Sequence, residues 1–254
     1  MKKKIFVFLF FPIWVFSSQV GPPSYPAIIE EGFFIPDTKW VNYRLSYTAY
    51  KASDLVMKFD DSAKEQNFHL RKVKAEGNFG SFVLNIKERL DLYTQIGSYK
   101  LEPEFRQNSN LYILKSATDI LYRAGARLVF FEILNFTLGA DVQYSIFSAS
   151  SSFLTLNDRP IQNDSKISLK EWQIAVGLAQ KITILRPYIG VVYKDTQIRM
   201  KKLPFLPTQL NLNFQKQAGV YLGVAASLGS FVSVIGEVRL VNERSTALSL
   251  DVRF

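Results

Sequence analysis

The stretch STALSLDVRF (residues 245–254) keeps a strict two-residue alternation. Leu248, Leu250, Val252 and Phe254 share one face, and Ala247, Ser249, Asp251 and Arg253 share the other. A period of two is the mark of a β-strand with unlike faces. Terminal residues usually fray. Order kept up to an aromatic residue therefore asks what holds it, and which solvent its apolar face meets.

The same rhythm recurs upstream. In VNYRLSYTA (41–49), Val41, Tyr43, Leu45 and Tyr47 oppose Asn42, Arg44, Ser46 and Thr48. FTLGADVQYSI (136–146) sets Phe136, Leu138, Val142, Tyr144 and Ile146 against Thr137, Gly139, Asp141, Gln143 and Ser145. WQIAVGLAQ (172–180), QAGVYLGVAASL (217–228) and VSVIGEVRL (232–240) repeat the pattern, the last with Glu237 and Arg239 on its polar face. These runs are about ten residues long. Ordinary globular strands have about 5–6, whereas a tilted strand crossing a membrane needs about 9–11. A soluble sandwich would turn its large apolar residues inward and its charged residues outward. Here the face opposite the apolar one is small or polar, and tyrosines stand near strand ends. Lipid on one side and a lumen on the other explains both features.

The N-terminus gives the compartment. MKKK is followed by the twelve-residue apolar run IFVFLFFPIWVF and then by SSQ. This is the layout of a secretory signal peptide, with cleavage expected after Ser17 or Ser18. The run is too short to span a bilayer, which needs about 20 residues, and Pro12 interrupts it. Losing Lys2, Lys3 and Lys4 takes the formal charge from +9 to +6. The remaining basic residues are scattered, so an exported chain of this kind implies no nucleic-acid partner. Cysteine is absent and there is one histidine. That excludes a disulfide framework, thiolate metal sites and lipid attachment through cysteine.

The expected fold is an all-β, antiparallel transmembrane β-barrel of about twelve strands, within a range of ten to sixteen. Its organisation reads as a signal peptide over 1–18, an extended Pro- and Gly-rich segment over 19–38, and a barrel over 39–254. Residues 132–135, 181–187 and 228–230 read as short periplasmic turns, and 51–67, 150–166 and 194–209 as longer outer loops. A closed barrel has no free edge. Its last strand must pair with its first, which is what would hold Phe254 in place.

Four blocks are similar to framework segments of the chlamydial major outer membrane protein family: LNIKERLDLYTQIG (84–97), GARLVFFEILNFTLGADVQYS (125–145), EWQIAVGLAQKITILRPYIGV (171–191) and GEVRLVNERSTALSLDVRF (236–254). PAIIEEGFF (26–34) resembles that family's opening block more loosely. Together the blocks cover about a third of the chain, in the family's order. The resemblance implies an outer-membrane porin of a chlamydia-like bacterium, assembled as a homotrimer. The family is rich in cysteines that cross-link the envelope, and this chain has none. It is also much shorter, so the family's strand number does not carry over. Bacterial outer-membrane barrels resemble this chain in ending on Phe, so Phe254 is expected to act as a signal to the barrel-assembly machinery.

No constellation for covalent chemistry stands out. His69 lies in NFHLRKVK (67–74) with no nucleophile or orienting acid placed by a motif, and it reads as a surface residue. Asp60 and Asp61 read as solvated acids rather than a calcium site. The chain is therefore expected to be no enzyme, and to need no metal or cofactor. RKVK (71–74) and RMKK (199–202) could meet the phosphates of outer-membrane lipid and lipopolysaccharide. By alternation Arg44, Asp141, Gln143, Glu237, Arg239, Asp251 and Arg253 point inward as pore-lining candidates. The leading expectation is passive diffusion of small hydrophilic solutes, with a mild anion preference from the basic excess. Pairing of Glu237, Arg239, Asp251 and Arg253 across strands is the equal alternative at those positions. Two rival functions stay open: a non-conducting structural or adhesive barrel, and a soluble secreted protein that binds an apolar ligand.

Overall fold

The computed structural model describes Gly21 and residues 40–60, 67–162, 164–204, 209–228 and 231–254. The signal peptide, the block at 26–34, Asp61 and all of the extended segment except Gly21 lie outside the described residues.

Fourteen strands and no helix make up the described chain: β1 (Val41–Leu55), β2 (Met57–Phe59), β3 (Phe68–Ile86), β4 (Leu90–Gln107), β5 (Asn110–Ser116), β6 (Asp119–Ile133), β7 (Phe136–Leu156), β8 (Arg159–Ile161), β9 (Lys166–Gln180), β10 (Leu185–Lys201), β11 (Leu210–Phe214), β12 (Ala218–Leu228), β13 (Val232–Leu240) and β14 (Glu243–Arg253). The ten long ones pair antiparallel around a closed ring, β1-β3-β4-β6-β7-β9-β10-β12-β13-β14 and back to β1. The rhythm of the sequence suggests about twelve staves. The ring has ten because the short strands share staves with long ones. β5 and β6 both lie between β4 and β7, β8 and β9 both pair with β7, and β11 and β12 both pair with β10. β2 pairs with β11 above the β13–β14 hairpin, and the Val56 N–H donates to the Asn242 carbonyl at 3.0 Å, so the end of that hairpin is covered.

The seam between β14 and β1 runs from Arg44 opposite Arg253 to Leu55 opposite Glu243. Thr48 Oγ1 and Ser249 Oγ share a hydrogen bond of 2.6 Å across it. At its end the Phe254 N–H donates to the Tyr43 carbonyl at 3.1 Å. The last strand is therefore held along its length, as closure requires.

One rim carries Trp40, Phe254 and the short turns at 87–89, 134–135 and 181–184. Lys87 and Glu88 sit at φ 51° and 56°, the left-handed pair of a tight hairpin turn. The other rim carries the longer connections. The strands reach farther toward that rim than alternation of apolar residues alone implies. Most of the described residues in 51–67, 150–166 and 194–209, expected as loops, are strand: β1 runs to Leu55, β7 to Leu156 and β10 to Lys201.

The reason lies in a switch of polarity along β1, β3, β4, β7, β9 and β10. On β10 the outward residues Ile189, Val191 and Tyr193 give way to Asp195, Gln197, Arg199 and Lys201. Over the same span its inward residues pass from Lys194 and Thr196 to Ile198 and Met200. β9 and β7 do the same, with outward Trp172–Leu178 replaced by Lys170, Ser168 and Lys166, and outward Phe136–Ile146 by Ser148 and Ser150. The barrel thus has two halves. One is apolar outside and charged inside, and the other is polar outside and apolar inside. The apolar outer band on β7 is 11 residues tall. At about 3.3 Å per residue and a tilt of about 40° this spans roughly 25 Å, the height of an outer-membrane apolar band.

Candidate functional site

The interior is where a channel would run. All seven inward candidates face it, with exposures of 0–6 %. They do not stand alone. In the membrane half the buried cations Arg44, Arg123, Arg127, Arg186, Lys194, Arg239 and Arg253 share the interior with the buried acids Asp91, Asp141, Glu171, Glu237, Glu243 and Asp251. The near balance of sign removes the basis for an anion preference read from net charge.

Two networks organise these groups. The first joins β1, β3, β4, β6 and β7. Arg44 pairs with Asp91, which also accepts from Asn85 Nδ2 at 2.7 Å. Arg127 Nε lies 3.3 Å from Asp141 Oδ2, and the Tyr93 hydroxyl donates to the same oxygen at 2.9 Å. Tyr93 OH also lies 3.3 Å from Gln143 Oε1. The second network joins β9, β10, β13 and β14. Lys194 Nζ contacts Glu171 at 3.0 Å and Glu243 at 2.8 Å. Arg239 bridges Glu237 at 3.1 Å, Glu243 at 3.2 Å and Gln173 at 2.9 Å. Charges out of water are tolerated only when paired and hydrogen-bonded, and all of these groups but one fall within such contacts or carry further ones. The exception is Asp251, which has no hydrogen-bond or ion-pair partner among the described residues, and its Oδ2 is buried. Near the short-turn rim Arg253 lies 3.4 Å from Glu88.

Tyrosines fill the space the networks leave. Tyr221 lies over Gly177, where a Cβ would come within 2.2 Å of its hydroxyl. Tyr188 lies over Gly223 in the same way, at 2.4 Å, and donates to Glu237 at 3.1 Å. Gly177 and Gly223 are thus seats for rings rather than open lumen. One further group enters from outside the strands. The Gly21 N–H donates to Glu237 Oε2 at 2.9 Å, and the Arg127 guanidinium packs against Gly21, which has φ +78°. The left-handed conformation and the close guanidinium both suit a residue without a side chain.

Beyond the networks, toward the long-loop rim, a hydrophobic core closes the barrel. Phe59, Phe68, Phe105 and Tyr112 pack at centroid distances of 5.4–5.9 Å, Phe105 stacked on Tyr112 and edge-on to Phe59. Leu101, Leu114, Leu154, Ile167, Ile198 and Leu212 pack with them, each at 0 % exposure. A small ring of staves can be filled entirely by its own side chains.

The alternation of the sequence does not single out Asp91, Tyr93, Arg127, Glu171, Lys194 or Glu243. Parity could find Glu171 and Lys194, since Trp172 and Tyr193 beside them face lipid. It could not find the second partner of Lys194, because Lys194 on β10 meets Glu243 on β14 across the interior. His69 stands exposed on the outward face of β3. Among the described residues no group of three or more His, Cys, Asp or Glu side chains could hold a metal.

A closed ring leaves no backbone group unpaired in hydrocarbon, and an apolar band on the outside of such a ring fits only a bilayer. The chain is an outer-membrane β-barrel. No protein-family description matches it, and no curated protein does. Solved outer-membrane structures align with it in general shape. They include the outer membrane protease OmpT of Escherichia coli (10% identity, 84% of this chain, 96% of that one, TM-score 0.43). The outer membrane protein OprG of Pseudomonas aeruginosa aligns at 9% identity over 87% of this chain and 99% of its own, TM-score 0.43. The translocator domain of the autotransporter NalP of Neisseria meningitidis aligns at 11% identity over 91% and 92%, TM-score 0.42.

Proposed function

We propose that this barrel is a non-conducting envelope protein whose work is done by its exterior and its outer half. One observation carries the reading: side chains across the whole height of the interior are shut away from solvent, from Arg239 at 0 % and Lys194 at 1 % to Leu114 at 0 %. A solute crossing the membrane half would have to break through both ion-pair networks. It would then meet the aromatic core around Phe105.

Diffusion of small hydrophilic solutes is the second reading. It is favoured by the mixed charge of the membrane half, since a polar interior wets where an apolar constriction excludes water. Planar-bilayer recording on the full chain purified from outer membranes separates the two. Insertion is checked by heat-modifiable gel migration. A flat current in the wild type, with discrete steps once Phe68, Phe105 and Tyr112 are all replaced by Ala, fits the closed barrel. Steps in the wild type of the size expected for an open ring of ten strands would replace it with the porin.

A further inference from the structure

The outward wall of the outer half is not uniform. On β1, β3, β4 and β5 three of its five lysines, Lys51, Lys74 and Lys115, are matched by acids. Lys51 lies 2.9 Å from Glu76, Lys74 pairs with Glu102 and Glu104, and Lys115 lies 3.5 Å from Glu102. On β9, β10 and β2 they are not. Lys58, Lys166, Lys170 and Lys201 make no ion pair among the described residues, and Arg199 has only the Gln197 oxygen at 3.4 Å.

Register brings these groups together. Lys170 stands opposite Gln197, which stands opposite Asn213, which stands opposite Lys58. One step farther out, Ser168 stands opposite Arg199, which stands opposite Asn211. Neighbouring strands are about 4.8 Å apart, so the rows form one basic and amide-rich face. A cavity of about 240 Å³ opens in it, lined by Asp60, Gln197, Arg199, Gln209, Asn211 and Asn213. Asn211 Nδ2 donates to Asp60 at 2.9 Å, while Asn211 Oδ1 is buried with no hydrogen-bond partner among the described residues. Immediately below, Trp172 and Tyr193 pack at 5.4 Å. Aromatic pairs of this kind mark the boundary between acyl chains and headgroups. Ile174, Val176 and Val191 continue downward from them on the same strands.

We propose that this wall binds a lipid whose headgroup is a phosphorylated sugar. Its acyl chains lie on the apolar residues of β9 and β10. Its phosphates meet Lys170, Arg199 and the lysines around them. Its hydroxyls meet the amides of the cavity, Asn211 Oδ1 accepting from one of them. Charge-assisted contacts from Lys and Arg to phosphate are strong, and planar amides suit vicinal hydroxyls. The site is independent of whether the interior conducts.

The test uses the full chain, delipidated in detergent and titrated by native mass spectrometry with lipid A, with dephosphorylated lipid A and with phosphatidylglycerol. Lipid A should bind saturably and more tightly than either of the others. Lys170→Gln with Arg199→Gln should weaken lipid A by about tenfold or more. Asn211→Leu should lose the preference for lipid A over phosphatidylglycerol, and Lys51→Gln, on the matched wall, should change nothing. The single variants Lys170→Gln and Arg199→Gln, each expected to weaken binding less, serve if the double variant loses its heat-modifiable fold. Equal binding of phosphatidylglycerol, or unchanged binding in the Lys170 and Arg199 variants, overturns the proposal.

Discussion

The two halves of this barrel solve opposite problems with the same strands. In the membrane half the outside must satisfy lipid, so the polar residues of each strand are driven inward and have to neutralise one another. In the outer half the outside meets water, so the apolar residues are free to turn inward and pack. Strands such as β7, β9 and β10 cross the boundary without changing their pleat. Only the parity of their apolar residues changes, between Tyr193 and Ile198 on β10 and between Leu169 and Trp172 on β9. The lesson is that inward-facing does not mean pore-lining. The interior charges here are what remains when a lipid-facing wall has used up the apolar residues.

The largest effects should come from breaking the filling of either half. Glu243→Ala leaves Lys194 and Arg239 without the carboxylate they share, and breaking a buried pair costs about 3–5 kcal/mol. Phe105→Ala opens a cavity in the apolar core at a similar cost of about 3–5 kcal/mol. Urea unfolding in detergent should show both losses. A loss at Glu243 smaller than that expected of an exposed ion pair would mean the membrane half is wetted, and would favour the porin.

A sharper comparison runs along one strand. Val142→Lys puts a charge on the lipid face and should cost about 2–4 kcal/mol, seen as failure to gain heat-modifiable migration. Ser148→Lys, also outward on β7 but above the band, should insert normally. Equal behaviour of the two would displace the boundary drawn here.

Asp251 offers a smaller effect of the opposite sign. Its carboxylate is buried without a cation among the described residues, so Asp251→Asn should raise the unfolding midpoint. A drop of about 1 kcal/mol or more would show that a partner outside the described residues holds it.

The smallest effect belongs to the water-facing wall. Partial burial pushes the Glu102 carboxyl up, but the hydrogen bond and charge of Lys74, with Lys115, outweigh it and hold the group below the usual carboxylate range. A depressed acid stabilises the fold above its unfolded pKa of about 4.3, and that contribution is lost as pH falls through the folded value. Exposed pairs contribute about 0–1 kcal/mol. Glu102→Gln should therefore cost little at pH 7, and should flatten the fall in stability below about pH 4.3.

Legibility followed the same division. In the membrane half the sequence is clear, because lipid imposes one rule on every outward residue. Parity places Arg44, Asp141 and Glu237 inside and Val142 and Val238 outside. In the outer half the stretch TQIRMK (196–201) still alternates, but Ile198 and Met200 fall on the parity opposite to Val191 and Tyr193. That change looks like the end of a strand to any reading that follows one apolar face, so three strand extensions pass for loops. The strand number suffers for a related reason: breaks within a stave look like turns between staves. Lys194 with Glu243 and Arg239 with Gln173 are contacts between distant staves, and no local pattern carries them.

The parity switch also gives the molecule a waterline. Sliding the barrel two residues toward the cell, about 6–7 Å along the strands, would draw Lys170 and Gln197 into hydrocarbon and lift Phe131 and Leu134 off the inner interface. Sliding it outward would strand Ile146 and Trp172 in water. Because the switch is repeated around the wall, displacement in either direction is opposed on several strands at once. The barrel floats at one draught and resists tilting about it. Whatever its outer rim meets, it meets at a constant height above the bilayer.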